Sequence, residues 1–317
     1  MLFCSVSSRL YLSMTPLRFS KGEGVFVSQK RYDMANRNII DAIIEIVKSP
    51  KYKLKEYSAS HNRANAMGEA LEEYIKDAFA GTIGEDDAEV RNRALNKTFS
   101  YLGNQNNPPD SMLKDGGDAI EVKKIESANS SLALNSSYPK AKLFSNSTMI
   151  SNACRDCEKW TVRDMIYAVG VIRDNNLKSL ALVYGSEYCA DKTVYEKIRT
   201  AIKDGVERIN GIEFAETNEL GRVNRVDPLG ITYLRVRGMW HIENPFVTFD
   251  YLYRRNETKY FTLMAIINEE KTKTFSNFSE LVELSRQVDS LRIEDKEIKD
   301  PNNPAKLHNV KLITFTV

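Results

Sequence analysis

Cysteine is sparse in this chain: four residues among 317, Cys4, Cys154, Cys157 and Cys189. That number excludes a disulfide framework for a protein of this length and favours a reducing compartment, the cytoplasm. Histidine is scarcer, and His61, His241 and His308 are widely scattered. Cys154-x-x-Cys157 therefore has no second pair to complete a zinc site. No apolar run approaches the roughly 18 residues of a membrane helix, so no spanning segment is expected. A charge excess is also missing, with Lys+Arg 45 against Asp+Glu 43 for a formal net charge of +2. No global basic field announces nucleic acid, and any such surface has to come from local clustering. Internal repeats are absent, which excludes a solenoid.

What remains is an ordinary globular composition, 42% hydrophobic and 28% charged, long enough to bury a full core. Residues 1–33 stand apart: they are Ser-rich, with Arg9, Arg18 and Lys21 and no acidic residue before Glu23. They read as a transit peptide or as translated upstream sequence. The second is preferred, because an amphipathic helix begins after Met34, and a disordered extension followed by one domain over residues 34–317 is expected. From Ile39 to Val47 isoleucine pairs recur at helical spacing until Ser49-Pro50, as core or as a dimer contact. A second helix is predicted from Ala64 to Phe79, with Met67, Leu71, Tyr74, Ile75 and Phe79 as its apolar stripe. Further helices are predicted over 88–99, over 161–175 with Thr161 and Asp164 as a capping-box-like start, over 191–209, and over 278–288. Strands are predicted at 179–184, 260–268 and 310–317. The order is that of an α/β sandwich with a mixed central β-sheet flanked by helices.

The stretch from Asn106 to Lys124 carries the chemistry. Asp118 to Ile125 alternates charged and apolar residues, so Ile120 and Val122 face a core while Glu121 and Lys123 project together from the other face. Lys114-Asp115-Gly116-Gly117 supplies the turn that returns an earlier strand alongside. Pro108 and Pro109 cannot donate ladder hydrogen bonds, which puts Asp110 at a strand entrance or an irregular edge near that pair. Two carboxylates this close repel one another unless a hard, oxygen-seeking cation such as Mg²⁺ sits between them. A neighbouring lysine then serves a developing phosphoryl charge or the attacking water. All three side chains are expected on an exposed functional face.

Pro109-Asp110, ten intervening residues and Glu121-Val122-Lys123 resemble the PD-(D/E)-x-K signature of the restriction-endonuclease-like nucleases. The words at 62–77 and 220–242 sharpen the likeness, and together they resemble the NgoPII-type type II restriction endonucleases, which cut the palindrome GGCC. The resemblance implies a restriction-endonuclease-like core over about 60–210 and a DNA-recognition region over about 211–260. It implies Mg²⁺ as cofactor on Asp110 and Glu121, Lys123 as the catalytic lysine, and a supporting helical glutamate. The Gly68-x-x-x-Glu72 spacing suits Glu72 for that role, with Glu69 and Glu73 beside it. It also implies double-stranded DNA as substrate, a homodimer to match the palindrome, and a DNA methyltransferase as genetic partner rather than physical subunit.

Two regions suit DNA contact. Lys140 and Lys142 lie among small polar residues between Ser127 and Ser147, a composition fit for phosphate and base edges or for a plain loop. Arg222, Arg225, Arg235, Arg237, Arg254 and Arg255 fall in a stretch without lysine, followed closely in its middle by Trp240 and His241. Arginine's planar fork matches guanine and phosphate, and it is also the usual partner in packed ion pairs. Arg235 and Arg237 are expected to share one strand face. Two rivals remain at this level: a structure-selective or repair nuclease with the same core, and a DNA-binding regulator without catalysis.

Overall fold

The computed structural model describes residues 36–54, 63–104, 107–209, 213–215, 217 and 219–317. The reading of 1–33 as an extension lies outside them, and residues 36–317 form one compact unit. The chain opens with α1 (Ile39–Lys48), α2 (Arg63–Ala80) and α3 (Ala88–Thr98), then β1 (Phe99–Asn104), β2 (Asn107–Leu113), β3 (Ala119–Ile125), β4 (Leu132–Ala133), β5 (Lys142–Phe144) and α4 (Asn152–Asp156). It continues through β6 (Val162–Arg173), β7 (Asn176–Tyr184), α5 (Gly185–Tyr188), α6 (Lys192–Glu207), β8 (Glu213–Phe214), β9 (Gly221–Asn224), β10 (Leu234–Val236) and β11 (His241–Ile242). Last come α7 (Pro245–Thr248), β12 (Thr262–Asn268), α8 (Glu269–Lys273), α9 (Phe278–Gln287), β13 (Leu291–Asp300) and β14 (Asn303–Thr316).

The central sheet has nine strands in the order β1-β2-β3-β6-β7-β12-β14-β13, with β5 added against β6. It is mixed: β3 runs parallel to β6 and β7 to β12, while the remaining pairs are antiparallel. Each face is covered. On one, α1 and α2 press Ile40, Ile43, Leu71, Tyr74 and Phe79 onto Ile120, Leu180 and Leu263. On the other, Leu132, Leu143 and Phe246 pack on Met165, Val169 and Met264. The α1 start is held by a capping box between Asn38 and Asp41, which satisfies backbone donors that a helix leaves open. The mixed α/β architecture and the stripe of α2 agree with the sequence reading.

Three elements depart from it. Residues 161–175 are not a helix but the central strand β6. Its interior from Met165 to Ile172 is buried residue after residue between β3 and β7, and a strand apolar on both faces imitates helical periodicity. Asp164 caps nothing and instead accepts Lys271 Nζ at 2.7 Å. Strands β1 and β13 carried no sequence signal, β13 because the unbroken charged run Glu294-Asp295-Lys296-Glu297 hides any alternation and places charge along a sheet edge. Helix α6 forms where predicted, and its apolar side, with Val194 51%, Ile198 50% and Ile202 45% exposed, faces away from the core.

Candidate active site

The geometry of the site begins with two strands that stop pairing. The β2–β3 ladder contains only Ser111 opposite Ile120 and Met112 opposite Ala119. Beyond Ser111 the strands part, because Pro108 and Pro109 bring no amide hydrogen to continue the ladder. Val122 N–H, left without a strand partner on that side, donates to Asp110 Oδ2 at 2.6 Å. The proline pair thus opens the edge, and the carboxylate of the next residue closes it. Gly103 of β1 permits this course, since a Cβ there would meet the Pro109 carbonyl oxygen at 2.4 Å.

On β3, Ile120 and Val122 enter the core as the alternation requires, and Lys123 Nζ donates to Glu121 Oε1 at 2.6 Å. Glu121 is not on an exposed face: it is only 9% exposed, and its Oε2 is buried with no hydrogen-bond partner. The correction has a topological cause. Pairing on both sides makes β3 an interior strand, and the 127–150 segment covers the face that an isolated hairpin would show to water. Withdrawal from water, with the Glu121 charge nearby, pushes the Asp110 carboxyl up to about 8. Burial works to lower the Lys123 ammonium, but Glu121 and Asp110 outweigh it and raise it. The two carboxylates and the lysine act as one electrostatic unit.

The helical glutamates separate clearly. Glu73 is taken by Lys76 at 2.8 Å and Arg91 at 2.5 Å, and Arg91 also binds the buried Asp77, so this group staples α2 to α3. Glu72 is raised first by burial, and feels Lys123 and Glu121 as part of the same cluster. Among the described residues no three His, Cys, Asp or Glu side chains are grouped closely enough to enclose an ion. The donor set is therefore two carboxylates, one with an orphaned buried oxygen. That suits a cation which keeps part of its water shell, as Mg²⁺ does, and does not suit zinc.

A family model described as NgoPII restriction endonuclease matches residues 37–299. The chain belongs to that family. It is 56% identical over 279 residues to the "Type II restriction enzyme NgoPII" of Neisseria gonorrhoeae, an alignment covering 88% of this chain and 99% of the relative. No solved structure is a significant match to it. In this member of the NgoPII restriction endonuclease family, Asp110, Glu121 and Lys123 lie together while the polar segments around them take separate positions.

Lys140 is the residue whose place differs most from expectation. Rather than standing on an exposed loop, it is 7% exposed, with Nζ on Ser137 Oγ and the Tyr138 carbonyl. Burial pushes its ammonium down to about 8, with Glu121 the principal opposing influence. It lines a cavity of about 10 Å³ together with Glu121, Pro108 and Tyr167, and so belongs to the floor of the site. Nothing local marked this, because Lys140 is buried by Tyr167 of β6, whose hydroxyl receives the Lys140 N–H at 2.7 Å. Lys142 stays half exposed, 3.4 Å from Asp164.

The arginine-rich stretch forms a separate three-stranded sheet, β10-β9-β8. Arg222, Arg225, Arg235, Arg237 and His241 are all exposed. Arg235 and Arg237 share one face as expected, and both forks grip Glu219: Arg235 at 2.9 and 2.7 Å, Arg237 at 2.6 Å. Arg225 lies 3.7 Å from Glu213. His241 Nδ1 is 3.4 Å from Ser131 Oγ, where β11 joins β4. Cys154 is buried against Met112, and Cys157 bonds the Cys154 carbonyl, a structural pair.

Proposed function

We propose that this chain hydrolyses both strands of double-stranded DNA at a short palindrome, GGCC, as the Mg²⁺-dependent nuclease of a restriction-modification system. The observation that carries the reading is the pairing of Asp110 with Glu121, whose Oε2 is buried and unpartnered, beside Lys123 in a member of the NgoPII family. Asp110 and Glu121 would hold the cation, with Glu72 behind them. Bound there, Mg²⁺ would neutralise charge on the phosphodiester and lower the pKa of a coordinated water.

The chain's own residues divide the remaining work. The Val122 amide fixes the orientation of the Asp110 carboxylate. Glu121 holds the Lys123 ammonium through Oε1, which aims a proton donor at the reacting phosphate oxygen or the attacking water. The closed face keeps competing water out and strengthens each of these interactions. Arg222, Arg225, Arg235, Arg237 and His241, with Lys142, form the DNA-facing set. A palindrome calls for a homodimer with one centre per strand, and the methyltransferase acts on the same DNA without binding this chain. No helix among the described residues is long and apolar enough to cross a membrane. The sparse cysteines favour the cytoplasm as the site of action.

Digestion of a plasmid of known sequence tests this. Discrete fragments that require Mg²⁺, end at GGCC and vanish in Asp110→Ala are expected. Cleavage restricted to branched or damaged DNA, or specific binding without cleavage, would each replace the reading.

A further inference from the structure

A groove of about 510 Å³ opens between the 136–149 segment and the first turns of α6. It lies beside the catalytic centre. Tyr138 and Lys140 line it, and the same two residues line the small cavity that contains Glu121 and Pro108. Its cations are Lys140, Lys142, Lys192 and Arg199, against two carboxylates, Asp191 and Glu196. Glu196 accepts the Tyr138 hydroxyl at 3.0 Å and keeps its charge; four cations against two carboxylates still leave the lining with a cationic excess. Asn146, Ser147, Thr148 and Thr193 add neutral donors along the walls.

The walls are firm where they need to be. Tyr138 stacks on Tyr195 at 5.6 Å, and both meet the edge of Trp240. Lys192 Nζ lies 4.5 Å from the centroid of the Phe144 ring, which holds its ammonium over the groove. The donors are ammonium, hydroxyl and amide groups with one guanidinium, that of Arg199, all suited to phosphate oxygens. The planar forks that read guanine lie mostly on the separate β8–β10 sheet.

We infer that this groove takes the sugar-phosphate backbone of one DNA strand beside the scissile bond, with Lys192 contacting a phosphate there as a grip that is indifferent to sequence. The inference rests on the nuclease reading of the Asp110–Glu121 centre, and it separates two tasks: phosphate positioning between α6 and the 136–149 segment, base reading elsewhere.

The test uses the full chain with Ca²⁺ in place of Mg²⁺ and duplexes carrying the sequence that the wild type cuts, or a one-base variant of it. Lys192 is a partly exposed residue at the start of α6, so Lys192→Gln is expected to melt as the wild type does. It should weaken binding to both duplexes by a similar factor, roughly threefold to tenfold, and reduce the salt slope by about 1. Lys192→Arg should restore most of the affinity. Single neutral methylphosphonates placed along the strand should reveal one position, next to the scissile bond, that weakens the wild type but not Lys192→Gln. An unchanged salt slope, additive effects at every methylphosphonate position, or an altered ratio between the two duplexes would each overturn the inference. In those cases wild-type cleavage would leave the nuclease reading standing. A wild type that neither binds nor cuts DNA would overturn both.

Discussion

Asp110 is where the chemistry of single residues is most exposed to measurement. Its carboxyl is raised from 3.8 to about 8 by withdrawal from water and by the charge of Glu121. A raised carboxyl binds its proton more tightly folded than unfolded, so this contribution to stability is complete below about pH 4 and is lost as pH rises toward 8. Metal-free protein should therefore show a melting temperature that declines over that range more steeply than in Asp110→Asn, which thermal scans in a chelator would establish. Cation binding must drive off the Asp110 proton. Calorimetry at pH 7 in buffers of different ionisation enthalpy should then report close to one proton released per site, and none in Asp110→Asn. Glu121 calls for a milder substitution than alanine. Removing it outright would strand the partly buried Lys123, a loss of about 3–5 kcal/mol for a broken buried pair, so Glu121→Gln is the cleaner test of catalysis. Cleavage in Glu121→Gln and in Lys123→Met should fall by at least about 100-fold while far-ultraviolet dichroism stays unchanged.

At the scale of elements, the site depends on where β2 leaves β3 and on how closely β1 approaches. A Cβ on Gly103 would stand 2.4 Å from the Pro109 carbonyl oxygen and 3.0 Å from that of Asp110. Backbone cannot give way cheaply there. Gly103→Ala should destabilise by about 1–3 kcal/mol and lower cleavage as well, because the displaced strand carries Asp110. Denaturant melts and a cleavage assay on the same preparation check both. The second element-scale expectation concerns β10. The forks of Arg235 on it and of Arg237 just beyond it share Glu219, so base reading requires them to leave it for guanine. Arg235→Ala or Arg237→Ala should cost about 1–3 kcal/mol of discrimination against a one-base variant. An unchanged affinity ratio in both would remove this strand from base recognition.

For the molecule as a whole, cutting a palindrome on both strands requires two centres related by symmetry. Sedimentation is expected to give a dimer, and a one-strand nick should accumulate only when wild-type and Asp110→Ala chains are mixed. A chain beginning at Met34 should match the full chain in activity and melting temperature, since the family match begins at residue 37. The parts legible beforehand were those in which local pattern and tertiary need coincide: the isoleucine pairs of α1, the stripe of α2, and the alternation that sends Ile120 and Val122 inward. That Asp110 would lie near Glu121 and Lys123 was legible because one hairpin, β2 and β3 with the turn between them, brings them together without help from distant segments.

The amino-acid sequence by itself determined which side chains leave each backbone together, because periods of two and of 3.6 are properties of the strand and the helix. It could not determine what covers those side chains. That Glu121 is buried follows from β6 and the 127–150 segment closing over β3, and the burial of Lys140 follows from Tyr167, 27 residues away. Residues 161–175 were misread for the same reason: a strand apolar on both faces is distinguished from a helix by its neighbours β3 and β7, not by its own spacing. Burial, and with it the raised Asp110 carboxyl and the groove beside it, is decided by contacts between segments far apart in the chain, and only the tertiary structure contains them.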